Sequence, residues 1–403
     1  MMFCAVTAAI MMGAIAERGR LIPAMVFTFF WATLVYCPVA YWVWNINGWA
    51  YKYGVLDYAG GGPVEIVSGM SALAYSMVLG RRQEKLMLNF RPHNVSLITL
   101  GTTLLWFGWL GFNGGSAFGA NLRAVMASWN SNLTAMFAAA TWCVLDWRLA
   151  RKWSMVGWCS GAISGLVAAT PSSGVITPWA SIILGVVTGL VANFATKIKF
   201  LIRIDDAMDV FAEHAVAGMV GLVFNALFAS AAVMGLDGVN TGSPTLPGGW
   251  VHQNYKQLYI QVAYIVACTA YSFVVSALIA YAINFIPGLK LRASEEAELL
   301  GMDDDQLGEF AYDYVEVRRD YLAWQPAQAE AHHGDHTVPV GQRHGIEEHS
   351  QMLEGKDPSD GSSADGVTRT NGTEHTGIAG DRHGVAASGA GGEKSSAAVE
   401  KAA

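Results

Sequence analysis

Residues 21–44 and 95–116 carry no charged side chain, and each is as long as the ~20 residues a helix needs to cross a bilayer. Hydrocarbon offers no partner to backbone N–H and C=O groups, so runs of this length must bond internally, as helices do. Similar runs cover 63–80, 124–145, 154–171, 175–196, 209–235 and 257–287, with a short ninth at 1–16. The fold class that follows is an all-α multi-pass membrane protein. The run at 257–287 is long enough to tilt strongly or to lie across the outside of a bundle.

Loop charges set an orientation. The loops at 17–20, 81–92, 148–152 and 197–203 hold Arg18, Arg20, Arg81, Arg82, Lys85, Arg91, Arg148, Arg151, Lys152, Lys197, Lys199 and Arg203, against Lys52, Arg123 and Lys256 in the alternate loops. The positive-inside rule makes the first set cytoplasmic, with residue 1 on the outer side and the chain after Pro287 in the cytoplasm. The net charge of −7 says little about partners, because much of the acid lies in the tail. All five cysteines (Cys4, Cys37, Cys143, Cys159, Cys268) fall in apolar runs. That argues against a disulfide framework or a zinc site and favours buried small hydrophobes.

Three parts follow: a membrane part at 1–292, an acidic segment at 293–322 whose apolar and aromatic residues suit docking on the cytoplasmic face, and a tail at 323–403. The tail is rich in Gly, Ser, Ala, Glu and His, a composition that predicts disorder. Its histidines read as solvated, not as metal ligands. The stretch 1–16 is too short to span comfortably. Its Ala-Ile-Ala ending before Glu17 resembles a signal-peptidase site, but a basic n-region is absent. The reading preferred is a helix cut in its middle.

Inside these runs sit two ionisable pairs with one spacing. Asp57 lies eight residues before Glu65, and Asp206 lies eight before His214. Charges at that depth cost roughly 2.5–3.5 kcal/mol on insertion scales, so such groups face a bundle interior or a conducting path. The first pair enters from outside and the second from inside, which describes an inverted repeat with its path at the interface. The second unit has five runs and the first has three, so matching halves would place two more upstream. Small residues that permit close helix approach are Ser68, Gly69, Gly161, Gly165, Gly185, Gly189, Gly218 and Gly221.

Several stretches in order resemble the ammonium transporter family (Amt/Mep/Rh): Ala14-Ile15-Ala16-Glu17-Arg18, Leu56-Asp57-Tyr58-Ala59-Gly60-Gly61, Trp109-Leu110-Gly111-Phe112-Asn113-Gly114-Gly115-Ser116 and Asp209-Val210-Phe211-Ala212-Glu213-His214. The likeness runs to about residue 322 and includes Gly308-Glu309-Phe310-Ala311-Tyr312. It implies the ammonium-transporter fold, with inverted five-helix units and about nine of eleven transmembrane helices present in this chain. It also implies a plasma-membrane homotrimer in the lipid bilayer with one pore per subunit, carrying ammonium, ammonia or methylammonium. The long tail and Glu65 resemble fungal methylammonium permeases. No enzyme chemistry, cofactor, metal or nucleic-acid partner is implied.

By resemblance, Trp44 and Ser116 form the outer recruitment site, and the family Phe completing it is expected just before residue 1. Trp44 offers a cation an aromatic face and Ser116 an acceptor oxygen; an interfacial belt position is the alternative for Trp44. Glu65 and His214 match the family's paired pore histidines, with Glu in place of the first, and form the pore and proton relay. A satisfied core histidine is the plainer reading of His214. Asp57 lies beneath the recruitment site, accepting local donors and biasing the vestibule towards cations, while Asp206 and Asp209 form the acidic mouth of the second unit. Trp109 and Phe112 resemble pore-side aromatics, or ordinary packing; Glu213 points about 100° away from His214 on a helix and stays outside the pore. The function implied is ammonium transport: recruitment outside, deprotonation and passage of ammonia through an apolar pore. The rivals are an ammonium sensor with weak or no transport and a neutral-solute channel; Trp44, Ser116 and Asp57 disfavour the channel.

Overall fold

The computed structural model describes residues 1–88, 92–239 and 248–309. Its long elements are α1 (Met2–Met11), α2 (Leu21–Trp31), α3 (Cys37–Trp44), α4 (Val67–Leu79), α5 (Val95–Gly115), α6 (Leu122–Ala150), α7 (Met155–Ser172), α8 (Pro178–Ala195), α9 (Ala217–Phe228) and α10 (Lys256–Asn284). A π-helical turn, Ala32–Tyr36, joins α2 to α3 without a break. Side-chain caps open three of the helices: Asn94 accepts from Leu97 N at 3.0 Å, Asn121 from Ala124 N at 3.0 Å, and Ser154 from Gly157 N at 2.9 Å.

Among the described residues, six helical segments are long and apolar enough to cross a membrane: Leu21–Tyr53, Gly61–Leu79, Val95–Gly115, Pro178–Ile202, Phe211–Phe228 and Lys256–Asn284. The nine expected runs are all helical, but the stretch Met2–Ile15 is shorter, and α6 and α7 are more polar. Their polarity has a physical reason. Asn130 on α6 donates to Ser173 O and Ile176 O, both at 2.8 Å, and Thr134 donates to Ser181 O at 3.2 Å. These donors are satisfied by neighbouring chain, so the helix need not be apolar all round. Glycines bring α7 and α8 onto α6: a Cβ at Gly165 would lie 2.7 Å from Ala135 Cα, and one at Gly185 would lie 2.6 Å from Thr134 O.

Two related segments meet at the centre. The first runs from Asp57 through a π-helical turn, Gly61–Ile66, into α4; the second runs from Asp206 through a π-helical turn, Phe211–Val216, into α9. Arg82, just past the end of α4, donates from its backbone N, Nε and Nη2 to the Asp205 carboxylate at 2.9, 2.8 and 2.9 Å. The first segment therefore ends where the second begins, and the two run in opposite directions. Helix α10 packs along their junction: Gln261 Nε2 donates to Leu56 O at 2.7 Å and Leu222 O at 3.2 Å, and Tyr264 Oη donates to Asp57 Oδ2 at 3.2 Å.

The face of the basic loops is latched by charge. Arg18 is fully buried and donates to Gly80 O at 3.0 Å and Asp205 O at 2.6 Å, while Arg82 also pairs with Glu17. Burial alone would raise the Asp205 carboxyl, but the hydrogen bonds from Arg82 and the charge of Arg18 outweigh it and hold it at about 2. The chain after α10 returns to this face. Ala293 N donates to Arg18 O at 2.9 Å, Arg292 binds Glu298 through two hydrogen bonds, and Gln83 Nε2 reaches Glu295 O at 2.9 Å. Residues 310–322 of the expected docking segment and the whole 323–403 tail lie outside the described residues. The expectation for the cysteines needs one correction. Cys159 and Cys268 are buried, Cys4 and Cys143 are half-buried, and Cys37 is exposed on the outer surface of its helix.

Candidate functional site

The site starts with a cap. Asp57 Oδ1 accepts from Gly60 N at 3.0 Å and Gly61 N at 2.6 Å, and its Oδ2 accepts from Gly62 N at 2.8 Å. These are first-turn amides that a helix start leaves without partners. Pro63, with no N–H to satisfy, stands in the same turn. Gly60 has φ +111°, a conformation that favours glycine, and a Cβ there would lie 2.9 Å from Trp44 Cζ2. The second segment repeats the device, with Asp206 Oδ2 accepting from Phe211 N at 2.8 Å. Asp209 is paired with Lys199 at 2.7 Å. The acidic mouth expected of Asp206 and Asp209 is thus a cap and an ion pair. Asp57 in turn spends its oxygens on backbone amides and Tyr264.

Each cap leads to one member of a buried pair. Glu65 lies in the first π-helical turn and His214 in the second, with His214 Nδ1 2.9 Å from Glu65 Oε2. Glu65 is 0% exposed. Reciprocal close approaches hold the pair together. A Cβ at Gly218, four residues after His214, would lie 2.8 Å from Glu65 Cβ; a Cβ at Gly69, four after Glu65, would lie 2.5 Å from Ala215 N. A carboxyl and an imidazole in hydrogen-bond contact can pass a proton, and their charge states are coupled.

The aromatic residues form a connected path. Trp109 Nε1 donates to Thr170 Oγ1 at 2.9 Å, beside the pair's segment, where Ala59 N donates to Thr170 O at 3.0 Å. The Trp109 ring stacks on Phe112 at 5.1 Å, and Phe112 meets Phe3 edge-on at 4.4 Å. Phe3 in turn lies 5.8 Å from Trp44. Phe3 in α1 therefore stands between Trp44 and Phe112 as a third aromatic of this group.

A cavity of about 320 Å³ opens above this path, lined by Trp44, Asp57, Tyr58, Ser116, Phe118 and Arg123 among others. A neighbouring one of about 250 Å³ is lined by Phe3, Trp44, Tyr58, Ser116 and Phe118. Trp44 and Ser116 thus share one vestibule, and Ser116 Oγ donates to Phe112 O at 2.7 Å, leaving its lone pairs as acceptors. All seven site residues expected from sequence fall in this one assembly: Trp44, Asp57 and Ser116 at the vestibule, Phe112 and Trp109 along the path, Glu65 and His214 at the pair. Sequence reading missed Phe3, Tyr264, Thr170 and the pair Arg123–Asp237. Phe3 left a signal, being the one aromatic within residues 1–16. The other contacts join residues 61 to 207 positions apart, which no local pattern reports.

Known proteins resemble this chain over most of its length. A model of the Ammonium Transporter Family matches residues 1–312. The chain is 59% identical over 324 residues to ammonium transporter MEP1 of Saccharomyces cerevisiae, covering 80% of this chain and 65% of that protein. It is 57% identical over 324 residues to ammonium transporter MEP3 of the same yeast, with the same coverage of 80% and 65%. The chain therefore spans slightly less than two thirds of these relatives' length. The crystal structure of Candida albicans Mep2 matches with a TM-score of 0.70 at 47% identity, covering 77% of this chain and 68% of that one. With a family match over three quarters of its length and paired, capped segments at its centre, the chain belongs to the ammonium transporter family.

Proposed function

We propose that this protein carries ammonium across the plasma membrane, taking the cation at the Trp44–Ser116 vestibule and passing ammonia inward. Ammonium is small and strongly hydrated, so a site must replace its water with oxygen acceptors and aromatic faces. The Trp44 face contributes about 0.5–2 kcal/mol to a cation, depending on desolvation, and the Ser116 hydroxyl oxygen accepts one of its protons. Phe3 and Phe112, in edge contact, close the way beyond. Their apolar faces bind water poorly, which favours loss of a proton from the desolvated ion. Ammonia then crosses, and the proton follows through Glu65 and His214. Asp57 orients the turn that carries Glu65 and does not itself hold the cation, since its oxygens are already occupied.

The observation that carries this reading is the buried Glu65–His214 contact of 2.9 Å, joined by an aromatic path to a vestibule suited to cations. Relatives named as ammonium transporters support the same substrate. The excess of basic residues in these loops supports a cytoplasmic position for the Arg18–Asp205 face, and with it for the chain after α10. A homotrimer with one path per subunit fits the family. The test is growth: cells lacking their own ammonium transporters, supplied with the gene product, should grow on low ammonium and import methylammonium. Failure to do either, with trimers confirmed at the cell surface, would leave sensing as the better reading.

A further inference from the structure

The vestibule contains a residue that a cation-recruiting site ought not to hold. Arg123, at the start of α6, donates from Nε to Gly174 O at 2.9 Å and lies 3.3 Å from Asp237 Oδ2 through Nη1. Its guanidinium carbon stands 4.9 Å from the centre of the Tyr58 ring. A resident cation therefore already occupies one aromatic face of the cavity that Trp44 and Ser116 line. Gly174 packs closely along the edge of this ring, where a Cβ would lie 2.5 Å from Tyr58 Cε2, and so limits its movement.

We propose that Arg123 is a specificity-determining residue, a tethered competitor that denies the Tyr58 face to incoming cations, with Asp237 offsetting its charge. This rests on the reading of the vestibule as the ammonium recruitment site. Ammonium, which needs one π face and a few acceptors, is served by Trp44 and Ser116. Bulkier alkylammonium ions gain most from a second face, and that face is taken. The same arrangement keeps the hold on ammonium weak enough for onward release. Asp237 limits the repulsion, because an unpaired guanidinium in the wall would lower the local cation concentration.

The two partners should act in opposite directions, which a merely structural role would not produce. Initial rates of methylammonium uptake by the gene product, at matched surface level, give the KM of each variant. Arg123→Met should lower KM by about two- to fivefold, the range of one exposed cation–π contact, and dimethylammonium should compete more strongly. Asp237→Asn should raise KM by a similar factor, more so at low ionic strength, where screening is weak. Arg123→Lys should return KM towards the parent value. Both variants raising KM together, or neither moving it, would overturn the proposal. If Arg123→Met does not reach the surface, an Asp237→Asn KM that is unchanged at low ionic strength overturns it alone. If the unaltered protein takes up nothing, the transport reading fails. Methylammonium binding to the purified proteins then decides, in the expected order Arg123→Met, parent, Asp237→Asn from tightest to weakest.

Discussion

Gly218 is the most direct lever on the proposed proton path, because its missing side chain lets the segments of Glu65 and His214 approach. A Cβ there would lie 2.8 Å from Glu65 Cβ and 3.2 Å from Gly61 O, whereas ordinary contact begins at 3.4 Å. Gly218→Ala must therefore push the two segments apart by roughly 0.6 Å, the difference between 3.4 and 2.8. Added to the 2.9 Å between His214 Nδ1 and Glu65 Oε2, that displacement gives about 3.5 Å, at the edge of any useful hydrogen bond. Misplacement of this order costs reacting groups up to ~100-fold. Methylammonium uptake should fall by roughly tenfold or more, and its pH dependence between pH 5 and 8 should change. The control is Gly161→Ala, whose Cβ would lie 2.7 Å from Trp142 Cβ in the α6–α7 packing. That variant should lower the surface amount while leaving the pH profile per molecule intact. Parent uptake and parent pH profile in Gly218→Ala, at matched surface level, would show that the 2.9 Å contact is not part of the transport path.

Three further outcomes follow from the same geometry. Glu65→Gln should reduce methylammonium uptake or alter its pH profile, since an amide cannot exchange a proton, while Glu65→His should keep activity with a shifted optimum; a parent-like profile in Glu65→Gln would reduce the carboxyl to a spacer. Asp57→Ala strips the partners from three buried amides and Tyr264, each charge-assisted bond worth about 1.5–3 kcal/mol, and should leave little folded protein by size-exclusion chromatography in detergent. Asp205, held at about 2 against an ordinary 3.8, contributes stability above its ordinary value that is lost as pH falls through that window; Tm followed from pH 6 down to 3 should drop less steeply in Asp205→Asn than in the parent.

The helices were legible because a bilayer imposes length and apolarity on every segment that crosses it. Val95–Gly115 begins and ends within a residue of the charge-free run that announced it. Helix α6 was harder to bound. It extends from Leu122 to Ala150, past the expected 124–145, because Asp146 is paired with Asn193 Nδ2 at 2.9 Å and does not end the helix. The course of α10 was likewise hidden. Its apolar run suggested a strong tilt or a course across the outside of the bundle, and neither reading foresaw that Gln261 and Tyr264 stitch it to the centre.

The eight-residue spacing was read correctly as a repeat, yet its cause lay beyond a helical period of 3.6. In each segment an aspartate caps the turn and a π-helical stretch follows, so the position eight residues on lands at the interface where the two segments touch. A regular α-helix offers i→i−4 bonds only, and projecting residues on its wheel would misplace both side chains. That also explains why glycine is needed four residues after Glu65 and four residues after His214. The π-helical turn presents Glu65 and His214 inward, and the next residue on that face must be small for the partner segment to approach, as Gly69 and Gly218 are. The ionisable pair and its glycines are thus one device, written twice in opposite directions. A change at any of the four positions should disturb the contact that the other three maintain.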